Sequence, residues 1–154
     1  MALEILPDTQ AIDRRLDQLA ASGPIAPVAS QTPLIANLSA RENLELVGAF
    51  HGRQGSRELA ATARETLALL EIPHCAEHRP ADLSDQEAFR VQVARAAMRT
   101  DALKILVTPF IQVPSLESDH PIHGALQALA IRQFRILDLP SHRHRYTLFS
   151  EVAS

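Results

Sequence analysis

Tryptophan is absent from the 154-residue chain, and the aromatics that remain are five Phe and one Tyr. Stacking platforms for single-stranded nucleic acid need many aromatic faces, and tracking a phosphate backbone needs surplus cations. With 15 Lys+Arg against 18 Asp+Glu and a formal charge of −3, the chain supplies neither, and no nucleic-acid partner is expected. The lone Cys75 excludes an internal disulfide. No apolar run approaches the roughly 18 residues of a membrane span, and no basic start leads into one. The expectation is a cytoplasmic chain that meets a membrane only through a partner.

Lysine is scarcer still: Lys104, inside the apolar run Ala102-Leu103-Lys104-Ile105-Leu106-Val107, is the only one. A phosphate-binding loop uses glycines so that backbone N–H groups close on the phosphates, and a Lys to neutralise them. None of Gly23, Gly48, Gly52, Gly55 or Gly124 opens a GxxxxGKS/T run. No cofactor is therefore expected. No GxSxG elbow supports nucleophilic hydrolysis. His74-Cys75-x-x-His78 offers metal-binding residue types but neither a fourth ligand nor a second Cys, so no metal site is expected.

The chain has an ordinary globular balance, 46% hydrophobic and 21% charged. Leu3 to Leu6 reads as a strand, Pro7-Asp8-Thr9 as a turn, and Ile12, Leu16 and Leu19 as one face of a helix capped by Asp8 or Thr9. Pro24 to Val28 reads as a second strand, with Pro27 removing a ladder donor. Ser39-Ala40-Arg41-Glu42 and Ser84-Asp85-Gln86-Glu87 are capping-box patterns, each opening an apolar helix, and Ser56 opens another between them. Leu103 to Val107 suits a central strand, 119–132 a helix, Phe134 to Leu137 a strand, and Tyr146 to Val152 a last one. Strands alternate with helices at both ends while the middle is helical. That pattern predicts an α/β fold whose parallel sheet carries a helical insertion between its second and third strands.

Several of these segments resemble the ATP-binding subunit of ABC transporters, in a shortened and degenerate form. Gln31-Thr32-Pro33-Leu34 followed by Leu38-Ser39-Ala40-Arg41-Glu42-Asn43-Leu44 resembles that family's Q-loop and the LTVRENL helix start behind it. Leu83-Ser84-Asp85-Gln86-Glu87 sits where the family carries LSGGQ, and 90–98 is similar to the RVALARAL helix that follows. Ile105 to Phe110 occupies the Walker B position, and Leu116-Glu117 is similar to the Leu-Asp of the D-loop. The resemblance implies a short, mostly parallel sheet of P-loop NTPase (ABC ATPase) type over 1–154, with a helical subdomain at about 39–100.

The departures bear on activity. Measured against the family's strand, the magnesium-coordinating Asp falls on Val107 and the catalytic Glu on Thr108, neither of which replaces a carboxylate. The two signature glycines have become Asp85 and Gln86, placing a carboxylate where the family approaches a partner's phosphate. The resemblance therefore implies a pseudo-ATPase with no catalytic residue, which binds an ABC permease or an active ATP-binding subunit, peripheral to the inner membrane. Gln31, Ser84, Asp85, Gln86, Glu87 and Glu117 are its vestigial or partner-contact residues. Two alternatives stay open: a self-associating homo-oligomeric scaffold unrelated to transport, and an ATPase completed in trans by a partner's P-loop. Local readings also stand beside these roles. Ser84 is fully explained as a helix cap, Gln31 as a loop residue, Arg90 and Arg95 as surface cations, and Ser141 to Arg145 as a solvated basic edge.

Overall fold

A computed structural model describes residues 2–51, 54–114 and 134–146. Strand β1 (Ala2–Ile5) turns at Pro7 and Asp8 into helix α1 (Thr9–Ala21), and β2 (Ile25–Val28) follows. Three helices come next: α2 (Ala40–His51), α3 (Ser56–Leu69) and α4 (Asp85–Ala97), with 3-10 turns at Pro73–Cys75 and Pro80–Asp82 between the last two. The chain re-enters the sheet as β3 (Leu103–Val107), makes the one-turn helix α5 (Pro109–Gln112), and adds β4 (Phe134–Asp138) before a 3-10 run, Pro140–Tyr146.

The four strands form a parallel sheet in the order β1-β4-β3-β2, with Ala2 opposite Arg135, Lys104 opposite Phe134, and Ile25 opposite Leu103. Central parallel strands are covered on both faces and so read as continuous apolar runs. On β3, Ile105 and Val107 face one core with Leu137, Ile12 and α1, while Leu106 faces the other with Ile136 and the helices of the insertion. That second core holds Leu44, Leu67, Leu70, Phe89, Val91 and Val93 at or near zero exposure. Pro27 is accommodated because, among the described residues, β2 is an edge of this sheet, where a missing ladder donor leaves no interior carbonyl unpaired.

Helix starts follow their caps. Asp8 Oδ1 accepts from Ala11 N at 2.8 Å, and the Ser39 amide and hydroxyl exchange bonds with Glu42 at 3.1 Å each. Ser84 and Glu87 form the same reciprocal pair at 2.9 and 3.1 Å. Each such cap contributes about 1 kcal/mol to its helix. The expected strand from Tyr146 is corrected at its first residue. Tyr146 ends the 3-10 run with its ring against Phe110, since its hydroxyl is drawn back to Asp138; 147–152 lie outside the described residues. The helix expected over 119–132 also lies outside them.

Candidate functional site

In an open parallel sheet the carboxyl ends of the strands lie on one side, and there the loops carry the chemistry. In this chain that edge consists of the β1–α1 turn, the segment after β2, Thr108 after β3, and Asp138 to His142 after β4. Each of these is occupied by the chain's own side chains.

At the β1–α1 turn, the free N–H groups of the α1 amino end face a carboxylate, because the Asp8 side chain caps Ala11 and its carbonyl accepts from Ile12 at 3.2 Å. A helix amino terminus is where an anion binds most readily. Beyond β2, Gln31 is exposed, and the residues after it are pinned. Thr32 Oγ1 donates toward the Pro27 and Ala29 carbonyls at 3.2 and 3.1 Å. Arg95 reaches back from α4 to donate to Pro33 O at 2.9 Å and to Thr32 O. Arg95 is thus an internal clamp and not the surface cation expected from sequence, and burial holds its pKa below the ordinary value. Arg90 is likewise engaged inward, on Leu70 O at 3.1 Å.

Asn43 finishes the fixation of this segment. Its side chain, only 1% exposed, accepts from Ile35 N at 2.8 Å and donates to the carbonyls of Ile35, Leu38 and Ser39. At the end of β3, Thr108 lies in the left-handed region at φ 43°, a costly position for a β-branched residue, and its amide donates to Leu137 O at 2.9 Å. Gln112 bridges the ends of β2 and β3 through Val28 O and Val107 O.

The polar centre of this edge was not expected from sequence. Asp138 is fully buried, yet it accepts from Leu139 N and His142 Nδ1 at 2.8 Å each and from the Tyr146 hydroxyl. Phe110 meets both rings edge-on, and the Arg145 guanidinium lies over it at 5.0 Å. The basic stretch 141–145 is therefore partly built into the fold. Burial, with the Asp138 hydrogen bond second, raises the Tyr146 pKa and keeps the phenol protonated.

Ser84, Asp85, Gln86 and Glu87 share the first turn of α4, with Asp85 exposed. The loop that carries Gln31 is anchored instead at Arg95, near the other end of α4. Glu117 lies outside the described residues. Glu87 does more than cap: its Oε2 accepts from His74 Nε2 at 3.0 Å and from Cys75 Sγ at 3.2 Å. His74 and Cys75 are thus joined to Glu87, 13 and 12 positions away, rather than to His78.

Bonds from the Ser84 amide first, and then from Cys75 and His74, hold the Glu87 carboxyl down at about 2. A carboxyl held below its unfolded value of 4.5 stabilises the fold above that pH and loses the contribution as pH falls toward about 2. Glu87→Gln retains the capping geometry without the charge. We expect thermal melts of this variant to lose part of the decline in Tm seen in the parent across that window. An unchanged pH profile would show that Glu87 is not anchored as described.

No family model matches the chain. It is 37% identical over 76 residues to the lipoprotein-releasing system ATP-binding protein LolD of Chromohalobacter salexigens, a match covering 49% of this chain and 32% of that protein. Among solved structures, a dimeric bacterial ABC transporter cassette superposes with a TM-score of 0.61 at 26% identity, covering 82% of this chain and 56% of the cassette. The same cassette in a dimeric post-hydrolysis state bound to ADP and Pi gives 0.62 at 26% identity, over 88% and 57%. A further ABC transporter structure, in an inward-facing conformation, gives 0.68 at 16% identity over 94% and 64%, a likeness of fold alone. The chain thus spans less than two thirds of the length of each of these proteins. Together with the parallel sheet and the helices inserted between β2 and β3, these likenesses show that the chain is ABC-ATPase-like in fold.

Proposed function

We propose that this chain is a catalytically inactive ABC-ATPase-like module that acts as a binding or regulatory subunit for an ABC permease or an active ATP-binding subunit. The observation that carries the reading is the Asp8 carboxylate at the amino end of α1. A nucleotide phosphate brought to that helix terminus meets a like charge and finds the first-turn donor already taken. Val107 and Thr108 supply no carboxylate for magnesium or for an attacking water, and Asp85 brings negative charge to the signature turn.

What remains is surface. On α2, Leu46 and Phe50 stand one helical turn apart, exposed by 37% and 77%, on the insertion that contains the motif-bearing segments. The cassettes of similar fold are dimeric, which supports association of this chain with another protein or with a second copy.

The test has two arms. Titration with a fluorescent ATP analogue and magnesium should show no saturable binding and no phosphate release; magnesium-dependent binding would overturn the inactive reading. The tagged chain, isolated from detergent-solubilised native membranes, should carry a permease or an intact ATP-binding subunit. Phe50→Glu should lose that partner with an unchanged circular dichroism spectrum. Recovery of the chain only as a homo-oligomer would favour a self-associating scaffold.

A further inference from the structure

His74 Nε2, Cys75 Sγ and a Glu87 carboxylate oxygen all lie within 4.8 Å of one another. A tetrahedral zinc ion with ligands at about 2.0–2.3 Å holds its donors about 3.3–3.6 Å apart. The two edges to Glu87 Oε2 are already 3.0 and 3.2 Å, and the third, between His74 and Cys75, is at most 4.8 Å and closes by rotation of the exposed His74 ring. From this convergence we infer that the corner between the Pro73–Cys75 turn and the start of α4 is a three-ligand site for a thiophilic divalent cation of the zinc type. Its ligands would be His74, Cys75 and Glu87, with an open fourth position.

The scaffold holds the donors without the ion. Glu87 Oε1 is engaged by the Ser84 amide, which leaves Oε2 directed at Cys75 and His74. Cation binding at Oε2 therefore leaves the capping box intact. Cys75 is fixed by its turn, its amide donating to Ile72 O at 3.1 Å and its carbonyl accepting from His78 N at 2.9 Å. The sulfur is buried, while His74 is exposed at 61% of its side chain and Glu87 partly so, which opens the donor cluster to solvent through those two residues.

The donor set fits the ion's chemistry. One thiolate, one imidazole and one carboxylate suit a borderline-soft cation and discriminate against magnesium or calcium, which take oxygen. The hydrogen between Cys75 Sγ and Glu87 would be replaced by the cation and released as a proton, while the His74 ring takes the tautomer with its hydrogen on Nδ1, freeing Nε2 to ligate. Without an ion, burial and the Glu87 carboxylate push the thiol up to about 12, which makes it an inert group and not a nucleophile.

The experiment is a Co2+ titration of the full chain, followed by displacement with Zn2+. A thiolate-to-cobalt charge-transfer band in the ultraviolet, visible bands of tetrahedral intensity, and loss of both on adding Zn2+ are expected. His74→Ala changes an exposed side chain and should fold normally, yet weaken binding by at least ~10-fold. Cys75→Ser should abolish the charge-transfer band, and Zn2+ should raise the Tm of the parent but not of His74→Ala. Absence of the charge-transfer band at millimolar Co2+, or equal binding by the parent and His74→Ala, would overturn the assignment. The assignment rests on the geometry of these three side chains and not on the proposed pseudo-ATPase role.

Discussion

Replacing Asp138 with Ala is expected to lower the unfolding free energy by about 3–5 kcal/mol, the range for removing one member of a buried charged network. The carboxylate has zero exposure and serves three donors: the Leu139 amide, the His142 ring and the Tyr146 hydroxyl. Removing it takes the Asp138 bond from the buried phenol and loosens the 3-10 run, whose Tyr146 and Arg145 pack on Phe110 of α5. Urea denaturation should show a lower midpoint with an unchanged slope. Tyr146→Phe removes one donor while leaving the carboxylate its other two, and should cost only about 1–2 kcal/mol. If Asp138→Ala and Tyr146→Phe were equally mild, the network would not be what closes this edge.

Asn43→Ala is expected to cost about 2–3 kcal/mol, because it removes at once an acceptor for Ile35 N and a donor shared among three carbonyls. The loss is local in origin. The segment from Thr32 to Leu38 would keep its tie to Arg95 but lose its tie to Asn43, and limited proteolysis should cut there first. Asn43→Asp is the sharper variant. It keeps the acceptor but aims a buried carboxylate at backbone carbonyls, so it should be less stable than Asn43→Ala at neutral pH and recover partly in acid. Equal stability of the two at pH 7, with no change in the cleavage site, would contradict the role assigned to Asn43.

Helix starts were legible because a capping box is a local device, complete within four residues; Ser39 with Glu42 and Ser84 with Glu87 form as their spacing predicts. Leu103 to Val107 was legible because a central parallel strand must be apolar on both faces. The polar centre was not, since Asp138, His142 and Tyr146 look like an acidic strand end followed by a basic loop until Phe110, from another segment, closes over them. An Asp directly after the apolar run Ile136-Leu137 was the available signal. Arg95 was misread for the same reason: periodicity shows which face of a helix it occupies, but not that carbonyls 62 and 63 residues earlier wait beside it. His74 and Cys75 suggested His78 as a companion by proximity in sequence. The fold instead supplies Glu87, because the Ser84 cap turns its carboxylate toward them.

The strand order has a consequence for how the chain is made. The block from β2 to β3 is contiguous, and its pairing can form as soon as those residues leave the ribosome. β1 has no such opportunity. Its neighbour is β4, with Ala2 opposite Arg135, so β1 is seated only after β4 has been synthesised. During synthesis β1 and the side of β3 that β4 will cover are both bare edges, the features most open to pairing with another chain. A substitution that slows the seating of β4 therefore lengthens the interval in which both edges are exposed, and its first symptom should be a lower yield of soluble protein rather than a lower melting temperature.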